Sequence, residues 1–319
     1  MANDLFSFLS RHSSLIITTH HSADPDGIGA EIVLSQIANS MGKQIRIINP
    51  DPVSEKFKFL DPENTIESWK NIETPGEAAL VILDTADEYN IGDLREYIHH
   101  ASEVYVIDHH EPSAFNTFKG YIDPTASSTS EMMVELAEEA GIKLKPESAR
   151  AAYAGIVYDS GFFAYPKTTS RTYKAALTLM EAGISPNEIY RRLSENTSVN
   201  ALKLQQAVLS TLEIHDKVAV QKLRKKDLED TGALYEDAEN FINGPMKCRD
   251  IEVSIVVKEN REGQIRCSLR SKGNVNVAKI AQSLGGGGHV TAAGFKSSLT
   301  LDETVAMTLE KINEKLENT

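Results

Sequence analysis

The chain has 319 residues and a formal net charge of −13, from 46 Asp and Glu against 33 Lys and Arg. No apolar run approaches the roughly 20 residues of a membrane span, and the acidic balance argues against binding along a long nucleic acid. The only cysteines, Cys248 and Cys267, have no metal-type spacing, so we expect a cytoplasmic protein without a membrane partner.

Strands alternate with helices in the first half of the chain. Apolar, β-branched runs predict strands at Leu15–Thr19, Gln44–Asn49, Ala78–Leu83 and Glu103–Ile107. Periodic segments predict helices at Ile28–Met41, from Ala126 to Ala140, and at Glu147–Tyr158, Ser170–Glu181 and from Ser185. This alternation is typical of an α/β domain, so we expect a mainly parallel five-stranded sheet flanked by helices.

The second half differs in pattern and in charge. A connecting helix is expected at Val199–Glu213, followed by strands at Lys217–Lys222, Ile251–Lys258 and Gln264–Leu269 and helices at Asn276–Leu284 and Asp302–Leu316. From His215 onwards there are 16 basic and 16 acidic residues, so the charge deficit lies entirely before it. We predict a domain at 1–195, a linker helix at 196–214 and a smaller α/β domain with a mixed sheet at 215–319.

Acids and imidazoles follow three of the predicted strands and one helix. They are His20, Asp24, Asp26, Asp84, Asp108, His109, His110 and Asp159. Because the carboxyl ends of parallel strands meet at one edge of a sheet, we expect these side chains to lie together. Each alone is equally compatible with a turn or a helix cap; the whole set at strand ends indicates a site.

Carboxylates with imidazoles suit Mn²⁺, Mg²⁺, Fe²⁺ or Co²⁺. Four carboxylates packed together repel each other, and two divalent ions would cancel the charges of Asp24, Asp26, Asp84 and Asp159. Such a pair of ions can activate water and stabilise an in-line displacement at phosphorus. The residues therefore predict a site for two divalent metal ions that is suited to chemistry at phosphorus.

A glycine run, Gly285–Gly288, precedes His289 near the end of the chain. Glycines let the backbone approach a ligand closely, and successive N–H groups can surround a phosphate. His289 and Arg270 can then bind the same phosphate. The alternative is a flexible linker.

The ordered motifs resemble those of DHH phosphoesterases. The motifs are His20-x-x-x-Asp24-x-Asp26-x-x-Gly29, Val81-Ile-Leu-Asp84, Asp108-His-His110 and Val157-Tyr-Asp159. Arg270-Ser-Lys-Gly273 and Gly285-Gly-Gly-Gly-His289-x-x-Ala-Ala-Gly294 resemble the DHH-associated domain of the NrnA type, which is related to RecJ. In many relatives of this type a Gly stands where this chain has Pro25.

The resemblance implies roles for these residues. One metal ion would be held by His20, Asp24 and Asp84, and the second by Asp26, Asp84, His109 and Asp159. His110 would contact the scissile phosphoryl group, and Asp108 would orient a histidine. Substrate-binding residues would be Arg270, Ser271, Gly286, Gly287, Gly288 and His289.

The resemblance also implies substrates and cofactors. We expect two Mn²⁺ ions, with Mg²⁺, Co²⁺ or Fe²⁺ as alternatives, and a homodimer. Substrates would be short oligoribonucleotides and linear dinucleotides such as pApA and pGpG, together with 3′-phosphoadenosine 5′-phosphate. Two alternatives stay open: a cyclic di-AMP phosphodiesterase, and a nucleotide-binding sensor without catalysis.

Overall fold

The computed structural model describes residues 2–111 and 118–316. The chain divides into two compact units, Met1–Asn196 and Thr197–Thr319, called here the N-terminal and C-terminal units. The predicted connecting helix is formed at Val199–Leu209 and lies within the C-terminal unit.

The N-terminal unit is built on a parallel sheet. Its strands are β1 (Ser14–Thr18), β2 (Gln44–Asn49), β3 (Ile66–Ser68), β4 (Ala79–Leu83), β5 (Val104–Asp108) and β6 (Gly120–Ile122). They lie in the order β3-β2-β1-β4-β5-β6, and every pair is parallel. The sheet has six strands and not the predicted five. Its edge strands, β3 and β6, have three residues each and are too short to produce a recognisable apolar run.

The α-helices of this unit pack into a core on one face of the sheet. They are α1 (Ala2–Arg11), α2 (Pro25–Ser40), α3 (Thr129–Glu139), α4 (Pro146–Asp159), α5 (Ser170–Glu181) and α6 (Pro186–Ser194). Helix α2 begins three residues before its predicted start because Pro25 occupies its first position, where the missing N–H costs nothing. The Asp24 carboxylate caps it by accepting from the N–H groups of Asp26 and Gly27. Proline therefore starts the helix instead of excluding it.

The sheet is covered on both faces, which explains why its central strands are apolar throughout. Leu15 and Ile17 of β1 pack into the core formed with α2, α3 and α4. Ile16, between them, packs on the opposite face, where Leu94 and Tyr97 complete a second core. Alternating side chains of β1 therefore enter two different cores.

The C-terminal unit contains a mixed sheet. Its elements are α7 (Val199–Leu209), β7 (Glu213–His215), β8 (Val218–Leu223), α8 (Lys225–Thr231), α9 (Asn243–Met246), β9 (Val253–Glu259), β10 (Ile265–Ser271), α10 (Val277–Ser283), β11 (Gly287–His289), β12 (Ala292–Ser297) and α11 (Leu301–Leu316). The strand order is β11-β12-β10-β9-β8-β7, and β8–β9 is the one parallel pair in this sheet.

The glycine run is partly a strand, since Gly287–His289 forms β11 at the edge of this sheet. A Cβ on Gly286 would lie 2.5 Å from the Cβ of Phe295, and one on Gly288 would lie 2.5 Å from the Cα of Ala293. Gly288 also has φ +138°. Close packing against β12 is therefore one reason for glycine at 286 and 288.

None of the described helices combines the length and the apolar content that crossing a membrane requires. Cys248 is exposed and Cys267 is buried, and both are free thiols.

Two glycines allow α2 and α4 to approach closely beside the strand ends. A Cβ on Gly155 of α4 would lie 2.9 Å from both the Cα of Asp26 and the carbonyl oxygen of Pro25. A Cβ on Gly29 of α2 would lie 2.6 Å from the carbonyl oxygen of Ala151. The backbone that carries Asp26 therefore touches α4 directly.

Gly155→Ala should lower the melting temperature and displace Asp26. Overpacking costs about 1–3 kcal/mol, which exceeds the gain of roughly 1 kcal/mol in helix propensity. The matched control is Gly244→Ala in α9, where a Cβ would meet nothing within 4 Å. Thermal unfolding measures both variants; equal melting temperatures would contradict the close-packing argument.

Candidate metal centre

Three neighbouring strands deliver the predicted residues to one edge of the sheet. His20 lies two residues beyond β1, Asp84 follows β4 directly, and Asp108 is the last residue of β5, with His109 and His110 after it. Because β1, β4 and β5 are adjacent, these side chains converge as predicted. Asp24 and Asp26 reach the same place from the start of α2, and Asp159 from the end of α4.

Asp26 is held by the start of another helix. Its side chain is fully buried, and its two carboxylate oxygens accept hydrogen bonds from the backbone N–H groups of Thr129 (2.7 Å) and Ser130 (2.8 Å). These N–H groups belong to the first turn of α3, where the helix dipole favours negative charge. Ser128 caps the same helix by accepting from the N–H of Glu131.

Asp84 occupies the centre of the cluster in a strained conformation. Its φ is +60°, in the left-handed region, which non-glycine residues seldom adopt and which concentrates at functional sites. Its N–H donates to the carbonyl of Ile107, and its Oδ1 accepts from the Thr129 hydroxyl at 2.9 Å. Backbone and side chain together fix the direction of this carboxylate.

The donors form three overlapping groups. These are His20, Asp24 and Asp84; Asp26, His109 and Asp159; and Asp84, His109 and His110, each with its ligand atoms within 4.8 Å of one another. His20 Nε2 lies 3.6 Å from Asp84 Oδ2 and 3.9 Å from Asp24 Oδ1. Asp84 belongs to two groups and therefore connects them.

The surroundings of His109 Nε2 indicate whether the residues of the site fit a metal ion. It lies 3.0 Å from Asp159 Oδ2, 3.6 Å from Asp84 Oδ1 and 4.0 Å from Asp26 Oδ2. It is buried and makes no hydrogen bond of acceptable geometry. A buried imidazole nitrogen facing three carboxylates in this way is the arrangement expected of a metal ligand.

The pKa values of the site residues also indicate a metal centre. Burial raises the pKa of Asp26 well above its usual range, and the nearby charges of Asp84 and Asp159 raise it further. Burial also raises the pKa of Asp84. Burial lowers the pKa of His109, but its contacts with the surrounding carboxylates outweigh this and raise it to about 10. The cluster therefore favours positive charge at its centre, as divalent ions would supply.

His110 and Asp108 form a pair beside this cluster. The Asp108 carboxylate accepts from the His110 backbone N–H at 3.1 Å and contacts its Nδ1 at 2.7 Å. The His110 side chain is 52% exposed, whereas that of His109 is only 5% exposed. His110 is therefore oriented by Asp108 and open to an incoming molecule.

Two groups of contacts near the site were not predicted from the sequence. Ser128 caps α3, while Thr129 and Ser130 bind the aspartates. Lys167 Nζ donates to the His109 carbonyl at 3.0 Å. The N-cap pattern before α3 was the available signal for Thr129; no local pattern identified Lys167.

In the C-terminal unit, Arg270 and His289 share one row of the sheet. Arg270 pairs with Ala292 across β10 and β12, and Ala292 pairs with His289 across β12 and β11. Directly paired residues lie on the same face. Ser271 points to the opposite face and donates to the carbonyl of Val275, so its hydroxyl already has a structural partner.

Comparison with known proteins identifies a known domain in each of the two units. The DHH family N-terminal domain matches residues 14–156, and the DHHA1 domain matches residues 215–318. The bifunctional oligoribonuclease and PAP phosphatase NrnA of Bacillus subtilis is 30% identical, with 92% of each chain covered. The cyclic-di-AMP phosphodiesterase GdpP of the same organism is 29% identical over 99% of this chain, which spans 50% of that protein.

A crystal structure of an exopolyphosphatase-related protein from Bacteroides fragilis has the same fold. Its TM-score is 0.90 at 24% identity, with 98% of this chain and 95% of that chain covered.

Thr129→Val should weaken Mn²⁺ binding roughly ten- to a hundredfold, because it removes the hydroxyl that orients Asp84 while keeping the side-chain shape. Isothermal titration of the metal-free protein measures the Kd. Thr308→Val is the matched control, since the buried Thr308 hydroxyl donates to the Thr304 carbonyl of α11 in the other unit. Equal affinities for wild type and Thr129→Val would show that Asp84 needs no such support.

Proposed function

Because the chain belongs to the DHH phosphoesterase family, with a DHHA1 domain after its DHH domain, we propose that it hydrolyses short oligoribonucleotides and linear dinucleotides such as pApA and pGpG to mononucleotides. A further proposed substrate is 3′-phosphoadenosine 5′-phosphate. The observation that carries the proposal is the overlap of three donor groups, two of which share Asp84 and two of which share His109. The chain is a metal-dependent phosphoesterase; its substrates are the proposal.

We assign the ligands of two ions from this arrangement. His20, Asp24 and Asp84 would hold one, and Asp26, Asp84, His109 and Asp159 the other. Two divalent ions, with Mn²⁺ as the proposed metal, would supply an activated water and neutralise charge on the phosphoryl oxygens. Asp84 is shared because each of its oxygens faces a different group, with Oδ2 near His20 and Oδ1 near His109.

The reaction then needs no protein nucleophile. A water oxygen forms the new bond to phosphorus, and the bond from phosphorus to the 3′ oxygen of the neighbouring ribose breaks. We propose that His110, held by Asp108 and half exposed, donates a hydrogen bond to a phosphoryl oxygen. Fixed donors of this kind stabilise charge that develops during the displacement.

Charge supports short substrates. The whole net charge of −13 lies before His215, whereas the remaining part of the chain is neutral. A long strand passing over the N-terminal unit would be repelled, while one scissile phosphate can be neutralised by bound cations. The names of the NrnA relatives, oligoribonuclease and PAP phosphatase, agree with this class.

Cyclic di-AMP is the second candidate substrate. The similarity to GdpP extends over 99% of this chain. A closed ring has no terminal phosphate, so a requirement for a 5′ phosphate distinguishes the two substrates.

Offered equal amounts of pApA and cyclic di-AMP with Mn²⁺, the enzyme should form AMP from pApA first and leave the ring intact. Timed chromatography follows both substrates in one tube. The Asp84→Asn variant, prepared in the same way, gives the background rate because the shared carboxylate is missing. Consumption of the ring before pApA would overturn the proposal of linear substrates.

Arg270→Gln and His289→Ala should raise KM for pApA at least tenfold and change KM for bis(p-nitrophenyl) phosphate less than twofold. We propose that these two residues bind the terminal 5′ phosphate, which the artificial ester lacks. Initial rates over a range of concentrations measure both constants. Equal losses on the two substrates would show that neither residue recognises the terminal phosphate.

A further inference from the structure

Lys167 lies beside the metal centre and has no part in the roles assigned so far. Its ammonium donates to the backbone carbonyl of His109 at 3.0 Å. Among the described residues of the N-terminal unit, it is the one lysine or arginine with a hydrogen bond to a residue of this centre. Lys167 therefore brings a positive charge of the chain itself to a site built from carboxylates and imidazoles.

The ammonium of Lys167 has no acidic partner. Within residues 2–111 and 118–316, no carboxylate oxygen lies within 4.0 Å of it. The side chain is half-buried, and an ammonium has three N–H donors, of which the bond to His109 uses one. Two donors and a full charge therefore remain for a ligand.

The charges of the site leave room for one more cation when a phosphodiester is bound. Four carboxylates would surround the two ions, namely Asp24, Asp26, Asp84 and Asp159. Two divalent ions would cancel their charges, and Asp108 already contacts His110 Nδ1 at 2.7 Å. A phosphodiester then adds one negative charge, and the attacking oxygen places more charge on the phosphoryl oxygens. The phosphoryl group is therefore an anion that suits the ammonium of Lys167.

The segment that carries Lys167 is fixed at both ends. It follows Asp159 directly, and Ser160 then accepts hydrogen bonds from the backbone N–H groups of residues 163–165. The segment ends at Thr169, which caps α5. Lys167 therefore stands on a fixed backbone, as a donor that stabilises developing charge without reorganisation requires.

The same segment contains backbone strain. Phe162 and Phe163 have φ of +58° and +63°, a region that bulky residues seldom adopt. The Phe163 ring stacks on that of Tyr173, with 5.1 Å between the ring centres, and this contact holds the turn. Residues in such conformations cluster at functional sites. The strain agrees with a functional role for this segment.

We propose that the Lys167 ammonium binds a non-bridging oxygen of the scissile phosphoryl group. The His109 carbonyl orients the ammonium, whose charge offsets the negative charge that develops on the phosphoryl oxygens. This role rests on the proposed function in that the two ions and the scissile phosphate share one site. It does not depend on which phosphoester is hydrolysed.

Lys167→Met tests this role with bis(p-nitrophenyl) phosphate, a diester without a nucleotide. The variant keeps an unbranched side chain but loses the charge, so kcat/KM should fall roughly ten- to a hundredfold, the loss expected for a hydrogen bond to a charged group. Lys167→Arg should recover most of this loss, because it restores the positive charge. Initial rates that stay within twofold of wild type in Lys167→Met would overturn the proposal.

Lys43→Met is the matched control. Lys43 lies in the same unit, is likewise half-buried, and donates through Nζ to the Ser10 carbonyl at 3.2 Å. Both variants lose one lysine-to-carbonyl hydrogen bond, so their melting temperatures should be similar, whereas only Lys167→Met should lose activity. Equal losses of activity in the two variants would contradict a contact with the phosphoryl group.

Binding measurements separate a phosphoryl contact from support of His109. Isothermal titration of the metal-free protein with Mn²⁺ should give Kd values within twofold of each other for wild type and Lys167→Met. Titration of the Mn²⁺-loaded protein with inorganic phosphate should give a Kd roughly tenfold higher for the variant. If Mn²⁺ affinity falls by the same factor as activity, Lys167 acts by positioning His109 and the proposal fails.

Hydrolysis of pApA distinguishes this inference from the proposed function. If the wild type hydrolyses bis(p-nitrophenyl) phosphate but not pApA, the proposed substrates are wrong, and the loss in Lys167→Met still decides the role of Lys167. If pApA is hydrolysed and Lys167→Met matches wild type on both diesters, this inference fails alone.

Discussion

Repulsion among buried carboxylates is the constraint on which the N-terminal unit depends. Asp26 and Asp84 are both nearly inaccessible to solvent, and His109 brings Asp159 into the same space. Such a cluster persists only if each carboxylate is fixed by donors and the whole is neutralised by cations. The first turn of α3 provides the fixed donors, through the N–H groups of Thr129 and Ser130, and divalent ions are suited to provide the rest.

The packing around the cluster serves the same constraint. Gly29 and Gly155 let α2 and α4 approach until their backbones touch, which places Asp26 beside Asp159 at the ends of two different helices. Asp84 adopts a left-handed φ at the end of β4, and its carboxylate faces His20 and His109. Close helix packing and one strained residue therefore fix the positions of carboxylates that would otherwise lie on flexible loops.

In the C-terminal unit, the charges that lie close together are positive. Its net charge is zero from His215 onwards, yet Lys258 and Arg266 face each other on one side of its sheet. The Tyr235 ring, whose centre lies 5.1 Å from the Lys258 ammonium, and the charge of Glu239 offset part of this repulsion.

The sequence by itself determined the α/β class, the central strands and the donors at their carboxyl ends, because continuous apolar runs and strand-terminal polar residues are local patterns. The parallel arrangement of those strands was also predicted, although α2 is the one α-helix that lies between β1 and β5 in the chain. The short edge strands β3 and β6 and the start of α2 at Pro25 were not predicted, because three-residue strands and helix-initiating prolines have weak local signals.

Only the tertiary structure decided which side chains meet. Thr129 binds Asp84 across 45 residues, and its N–H binds Asp26 across 103, distances in sequence at which no periodicity carries information. The register of β9, β10, β12 and β11 likewise placed Lys258 opposite Arg266 and put part of the glycine run into a strand. Register is set by the packing of the whole sheet, because a shift of one residue would turn every side chain to the other face.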